Sequence, residues 1–476
     1  MAANKTFFKD FSWYFLGSFM PLFIGFIKTP IFTRHFSKEA YGNLALVTIT
    51  FTFLGMFLFS WIGSCLWRYF NKYETKNTLN TLYSNLFFLF ISAFVLLLIV
   101  SSVWYIIANK SMVKQLVFYS FFHLFLNQLF LFYMVVVRLK GKAKFYTIFQ
   151  TIKALAGVLI ALVLVFYFKN DIVALVSSLA IVEVFALVFL LFFNPVKVKI
   201  KFKLISKPNL IELLIYGSVG LILNISLLAI TYSDRYIIAW LNNLDEVGIY
   251  DQVYKISQLS VVALVTIFFN TVNPYLLKEL EVNFDNSKKI IQKYIKVFVI
   301  FGLPIIFYLS LFSKEISNIL LGKEFRVGYT IMPFIFMSAY LHGISNFYEL
   351  RLKFSNKLKR LGIIALGVAV LNVILNIIFV GLYGYKWAAY TTLITYLILV
   401  VILHVMDREI IILTKSNSIL LSKIIILLAL QGLIFVLMNR YFEINIFIKL
   451  AIGLLYTLMY FILFKKPIKA AKIPIN

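Results

Sequence analysis

The chain has 476 residues and a formal net charge of +27, is 62% hydrophobic and 18% aromatic, and carries charge on only 14% of its positions. That balance excludes a soluble globular domain and reads as a polytopic membrane protein. The basic excess does not imply nucleic acid, because the Lys and Arg sit in short clusters between apolar runs, where they write topology.

The first run, residues 11–36, is long enough to cross a bilayer, at about 20 residues for the hydrocarbon core. Within it Ser18, Pro21, Gly25 and Lys28 recur at helical spacing, giving one small, kinkable and cationic face. No small-residue cleavage pattern closes the run, so it reads as a retained first helix rather than a signal peptide. Thirteen further apolar runs follow, at about 41–66, 80–107, 113–137, 145–168, 172–193, 210–233, 248–274, 291–312, 328–350, 361–382, 385–405, 418–439 and 444–464. They are too long, and too uniformly apolar, for the strands of a closed barrel. With the first residue in the cytoplasm, cytoplasmic segments hold 31 Lys and Arg and external ones 11. Both termini are therefore expected in the cytoplasm.

An internal repeat is visible. RLKGKAK starts at Arg138 and RLKFSNK at Arg351, and KEAYGNLALV in the first half answers DEVGIYDQVY in the second. Six helices is an even number, so the second copy starts on the same side as the first, as in a parallel repeat. The expected fold is an all-α integral membrane protein of about 14 transmembrane helices, with two six-helix lobes related by an axis along the membrane normal plus a C-terminal helix pair. The expected division is an N-lobe at 1–194, a basic linker at 195–209, a C-lobe at 210–406, and a last pair with a basic tail at 407–476. The linker, Asn194 to Pro208, alternates Lys with apolar residues and reads as a basic segment on anionic headgroups.

No nucleophile elbow and no phosphate-cradling glycine loop is present, His35, His123, His342 and His404 are scattered without ligand spacing, and Cys65 is alone. No enzyme and no metal site is expected. What stands out is ionisable residues inside apolar runs, each costing about 2.5–3.5 kcal/mol near a helix centre unless it meets a partner or water. They are Lys28, Lys153, Glu183, Lys255 and Lys449, with Asp234 and Arg235 at the outer end of the seventh helix. Asp251, Lys255, Gln258, Thr266, Asn270 and Asn273 trace a polar stripe at near-helical spacing. Lys153 and Glu183 lie at matching depth on consecutive helices and are expected to pair, as a structural ion pair or as a proton or sodium coupling site. Lys449, near a helix end, is expected to snorkel.

Two six-helix lobes with a two-helix tail, an early TRHFSKEAYG segment, SDRYIIAWLNNLDEVGIY opening the second lobe, and basic loops before the fifth and eleventh helices resemble the bacterial polysaccharide-repeat flippases. These are O-antigen and capsule exporters of the multidrug, oligosaccharidyl-lipid and polysaccharide exporter superfamily. The resemblance implies a protein of the bacterial cytoplasmic membrane that moves undecaprenyl-pyrophosphate-linked oligosaccharide to the outer leaflet. It implies membrane lipids as surroundings, and the polymerase and chain-length regulator of the same route as partners. It carries the family's basic, cavity-facing residues onto Lys28, the Asp234–Arg235 pair and Lys255, with Arg34 at the mouth. No cofactor is implied beyond a coupling proton or sodium ion. The alternatives are a cation-coupled drug antiporter on the same scaffold and a membrane-embedded glycan polymerase or ligase.

Overall fold

A computed structural model describes residues 2–169, 171–193, 195–282, 284, 287–355, 357–408, 410, 415–441 and 446–464. Asn194, at the head of the expected linker, and the expected basic tail from 465 onward lie outside the described residues. The fold is all-helical, because in lipid every backbone N–H and C=O must be satisfied within its own segment. The helices are α1 (Ala2–Thr33), α2 (Lys38–Gly55), α3 (Trp61–Thr75), α4 (Leu79–Ile107), α5 (Ser111–Leu139), α6 (Ala143–Leu162) and α7 (Ala174–Phe192). There follow α8 (Lys207–Leu241), α9 (Leu244–Val282), α10 (Ser287–Leu311), the short α11 (Ser313–Leu320) and α12 (Met332–Phe354). The last four are α13 (Leu358–Tyr383), α14 (Trp387–Met406), α15 (Lys415–Tyr441) and α16 (Ile446–Leu463).

Among the described residues twelve helical segments are long and apolar enough to cross a membrane, and Phe19–Thr33 and Phe447–Leu463 are apolar but shorter. Each lies within one of the fourteen apolar runs or overlaps it. One of the twelve, Lys38–Thr75, joins α2 to α3 through a π-helical turn, Met56–Ser60. Large apolar side chains on the outside, such as Ile106, Leu191 and Ile462, are more than two-thirds exposed, as lipid-facing positions should be.

By internal packing the chain forms two units, Met1–Gln252 with Leu358–Tyr385, and Val253–Lys357 with Lys386–Asn476. In the second unit Ile300, Ile424, Leu428, Tyr460 and Phe464 form a buried cluster that joins α10, α15 and the end of α16. Its charges are closed locally. Lys449, expected to snorkel, instead meets Glu315 at 2.6 Å with both side chains largely covered. Arg351, which opens the second basic motif, is buried, binds Asp407 and lies over the Phe284 ring at 5.1 Å.

In the first unit the two answering segments of the repeat meet. Ser37 Oγ accepts from Ala40 N at 3.3 Å to start α2, and Asn243 Oδ1 accepts from Glu246 N at 2.9 Å to start α9, each the expected cap of a helix N-terminus. Gly42 and Gly248 then lie where the two first turns cross. A Cβ on Gly42 would stand 2.1 Å from the Leu244 carbonyl oxygen, and one on Gly248 would stand 2.0 Å from the Lys38 carbonyl oxygen. Each glycine thus faces the carbonyl four residues before the other, the reciprocal contact a local two-fold generates. A Lys38–Asp245 ion pair at 3.4 Å spans the crossing, and being partly exposed it adds little.

The obstacle at both glycines is backbone, which cannot swing aside. Gly42→Ala and Gly248→Ala should each lower stability by about 1–3 kcal/mol, the usual cost of overpacking. The double variant should cost less than the sum, because the first methyl already parts the helices. Thermal unfolding in detergent reads this, and a wild-type midpoint for either single variant would contradict the crossing.

Candidate functional site

Two clusters of intramembrane charge lie in the first unit. The first is built by the α8–α9 hairpin. Asp234 and Arg235 sit two turns before α8 ends, and Tyr250 and Asp251 sit two turns after α9 begins, so the short Asn242–Asn243 turn folds them together. Arg235 Nη1 reaches Asp234 Oδ1 at 2.6 Å and also donates to the Thr231 carbonyl, while Arg235 Nε lies 3.6 Å from Asp251 Oδ1. Tyr250 Oη donates to the other oxygen of Asp234 at 2.6 Å, and Gln252 Nε2 donates to Asp251 Oδ2 at 3.1 Å. The guanidinium lies over the rings of Tyr232 and Tyr250 at 5.3 and 5.0 Å. All three charged side chains are 0% exposed. The cluster holds one cation and two carboxylates in a tight, hydrogen-bonded knot.

The second cluster joins three helices. Lys153 of α6 pairs with Glu183 of α7 at 2.6 Å, the pairing that their matched depths predict, and Lys153 Nζ also donates to Asn127 Oδ1 of α5 at 3.1 Å. Its ammonium lies 3.8 Å from the centre of the Phe130 ring. Glu183 is 1% exposed, and its second oxygen has no hydrogen-bond partner. His123, one turn before Asn127 on α5, brings Nδ1 to 3.9 Å from Glu183 Oε1. His123 and Asn127 of this cluster line a cavity of about 610 Å³ whose polar lining also includes Thr48, Ser60, Ser120 and Gln128. The π-helical turn Met56–Ser60 supplies part of the same wall, the kind of irregularity that often marks functional sites.

The remaining cations take different places. Lys28 is exposed on α1 and lies within electrostatic range of His123, and Arg34 is exposed in the turn after α1. Lys255, in the second unit, is half-buried on α9. The structure therefore joins Asp234 to Arg235 and Lys153 to Glu183, and leaves Lys28 and Arg34 with exposed side chains. Sequence reasoning missed His123 because imidazole without ligand spacing gives no signal. It missed Tyr250 as the partner of Asp234 because that contact closes across a hairpin. A small warning was present, since Tyr250 and Asp251 stand beside the answering DEVG segment. Among the described residues no group of three His, Cys, Asp or Glu side chains could hold a metal ion.

Removing one partner from a buried, hydrogen-bonded ion cluster costs about 3–5 kcal/mol, because the remaining charge is stranded. Arg235→Leu should therefore lose folded protein sharply, and Asp234→Asn in the same chain should recover part of it. Yield of monodisperse protein and thermal midpoint in detergent read this. Full stability of Arg235→Leu alone would show that the knot is not a structural unit.

Residues 7–280 match the family described as Polysaccharide biosynthesis protein. None of the curated proteins compared with the sequence matches it. Among solved structures, the lipid II flippase MurJ in an inward closed conformation is 15% identical, with a TM-score of 0.72 over 96% of this chain and 99% of that one. An inward-facing multidrug resistance MATE family transporter of the MOP superfamily is 13% identical, with a TM-score of 0.64 over 87% of this chain and 96% of that one. An outward-facing form of such a transporter has a TM-score of 0.57 at 12% identity, over 88% of this chain and 96% of that one. At these identities the structures establish the fold alone. More than half of its length lies inside the matched family, so the chain belongs to the polysaccharide biosynthesis protein family, on a helical fold like that of MurJ and the MATE transporters.

Proposed function

We propose that this protein is a flippase that moves undecaprenyl-pyrophosphate-linked oligosaccharide repeat units from the cytoplasmic to the outer leaflet of a bacterial cytoplasmic membrane. The observation that carries the reading is membership of a polysaccharide biosynthesis family on a fold shared with the lipid II flippase MurJ. The chemistry agrees. A pyrophosphate and a glycan cannot cross hydrocarbon unaided, and cationic side chains replace the phosphate's hydration.

In this reading the two six-helix lobes, 1–194 and 210–406, alternate access to the two sides, with both termini in the cytoplasm. Lys28, Arg34 and Lys255 meet the pyrophosphate. Arg235 is held by Asp234 and Asp251, so it serves the phosphate only in a state where the knot opens. The protein makes and breaks no covalent bond of the substrate. Lys153 and Glu183 serve as a structural ion pair that keeps the cavity wall in register. A coupling proton or sodium ion is the other role open to Glu183, whose unpartnered oxygen and neighbouring His123 give such an ion a place to act.

Deleting the gene should accumulate the lipid-linked oligosaccharide on the cytoplasmic leaflet. Complementation with Lys28→Ala or Lys255→Ala should restore export to well under a tenth of the wild-type rate, since each loses a charge-assisted contact of about 1.5–3 kcal/mol. External accumulation would identify a polymerase or ligase instead, and unchanged lipid with lost drug efflux would identify an antiporter. Wild-type export by both variants would refute the cationic site.

Glu183→Gln separates its two roles. As a structural partner only, the substitution should lower the thermal midpoint and leave the dependence of transport on pH and sodium gradients unchanged. A coupling role predicts that transport in proteoliposomes stops responding to one of those gradients.

A further inference from the structure

The segment between α7 and α8 is neither a helix on the membrane surface nor a loose tether. Residues 197–201 run without helical structure, Lys201 is extended at φ −130° and ψ 105°, and a single 3₁₀ turn, Phe202–Leu204, precedes α8. Its backbone is fastened at three places by side chains of the first six helices. Tyr133 of α5 bonds to Val196 through its hydroxyl, donating to the carbonyl at 3.1 Å and accepting from the amide at 3.3 Å. Ser84 Oγ of α4 accepts from Lys201 N at 2.8 Å. Asn85 spans the end of the segment, donating to the Leu204 carbonyl and accepting from Ser206 N, both at 3.0 Å. Ser84 and Asn85 are 0% exposed, so these are fixed points inside a packed helix pair.

Pinned this way, the segment has a defined outer face. Val198 and Ile200 are half-buried, while Lys197, Lys199, Lys201 and Lys203 are all exposed. Alternate positions of an extended chain recur about every 6.6–7 Å on one side. Among these lysines Phe202 is 68% exposed, and the segment leaves α7 through Leu191, Phe192 and Phe193, exposed by 80, 78 and 61%. Exposed aromatics beside lysines, between two apolar spans, mark the membrane interface rather than open cytoplasm. The distribution of Lys and Arg along the chain puts this connection on the cytoplasmic side.

We propose that residues 195–206 form a docking strap for anionic phospholipid headgroups of the cytoplasmic leaflet. Lys197, Lys199, Lys201 and Lys203 lie over the phosphates and Phe202 enters the interface. Tyr133, Ser84 and Asn85 are positioning residues that hold the lysines at a fixed height. A free polybasic tether would spread over the surface and tolerate any register, whereas this strap ties a particular face of α4 and α5 to charged lipid. The proposal is independent of which substrate the protein carries.

The test uses the full chain in lipid nanodiscs of phosphatidylcholine alone or mixed with phosphatidylglycerol. The rate of acylation of each lysine by a soluble reagent is read by mass spectrometry. Phosphatidylglycerol should slow modification of all four linker lysines by about tenfold or more at low ionic strength, and high salt should restore the rate. Lys199→Gln with Lys201→Gln should weaken protection of the other two by about fivefold per lysine removed. Ser84→Ala with Asn85→Ala should keep all four lysines in the chain but free the segment, which lowers their protection and opens it to trypsin. Equal rates in the two lipids would overturn the proposal. So would protection that appears only after an acidic soluble protein is added, or protection unchanged by releasing the pins.

Discussion

The structure depends on the neutralisation of charge inside a helix bundle that lipid surrounds. An isolated ion near the bilayer centre costs several kcal/mol, and the bundle answers by giving buried ions partners in their own unit. Arg235 takes Asp234 and Asp251, Lys153 takes Glu183, Arg351 takes Asp407 and Lys449 takes Glu315. These pairs knit helices at fixed heights, because a hydrogen-bonded carboxylate tolerates little sliding. The knot in the α8–α9 hairpin goes further, since Tyr250 and Gln252 each add a hydrogen bond to one of its carboxylates. Its location decides its consequence. On α9 it lies within one turn of Gly248, so the start of α9 is held by charge and by backbone contact at almost the same height.

That crossing makes the repeat a physical object. The answering segments KEAYG and DEVGI carry equivalent caps, equivalent glycines and equivalent carbonyls, and each supplies what the other packs against. A contact without side chains at its centre is close but adds little attraction beyond dispersion, and the ion pair across it is solvent-screened. Such an interface can separate at modest cost, although both of its sides lie within one packed unit. The buried ion pairs, by contrast, are expensive to open and suit rigid parts, and the Arg235 knot would open only where a phosphate takes the place of its carboxylates. The reading of the protein as a flippase uses both properties, with movement at the crossing and rigidity within each group of pinned helices.

The helices were legible in the sequence because a membrane leaves few choices, and each apolar run of sufficient length is present as a helix. The pairing of Lys153 with Glu183 was legible too, since consecutive antiparallel helices align residues of equal depth. The knot was only half legible. The Asp234–Arg235 doublet announces itself, but Tyr250 and Asp251 reach it across a turn, and a sequence gives no angle for that turn. Lys449 looked like a snorkelling residue because Glu315, 134 positions away, gives no local sign. What fastens the linker was hidden for a similar reason. Ser84 and Asn85 are short polar residues inside an apolar run, and nothing in the sequence states that they hold a backbone more than a hundred residues distant.

The flippase proposal asks the α2–α9 crossing, whose two sides pack within one unit, to open and close during transport. Lys38→Cys with Asp245→Cys, in a background with Cys65→Ser, replaces the ion pair at that crossing with two thiols that an oxidant can join. Uptake of lipid-linked oligosaccharide into proteoliposomes should stop on oxidation and return on reduction. A cross-linked protein that transports at the reduced rate would contradict it.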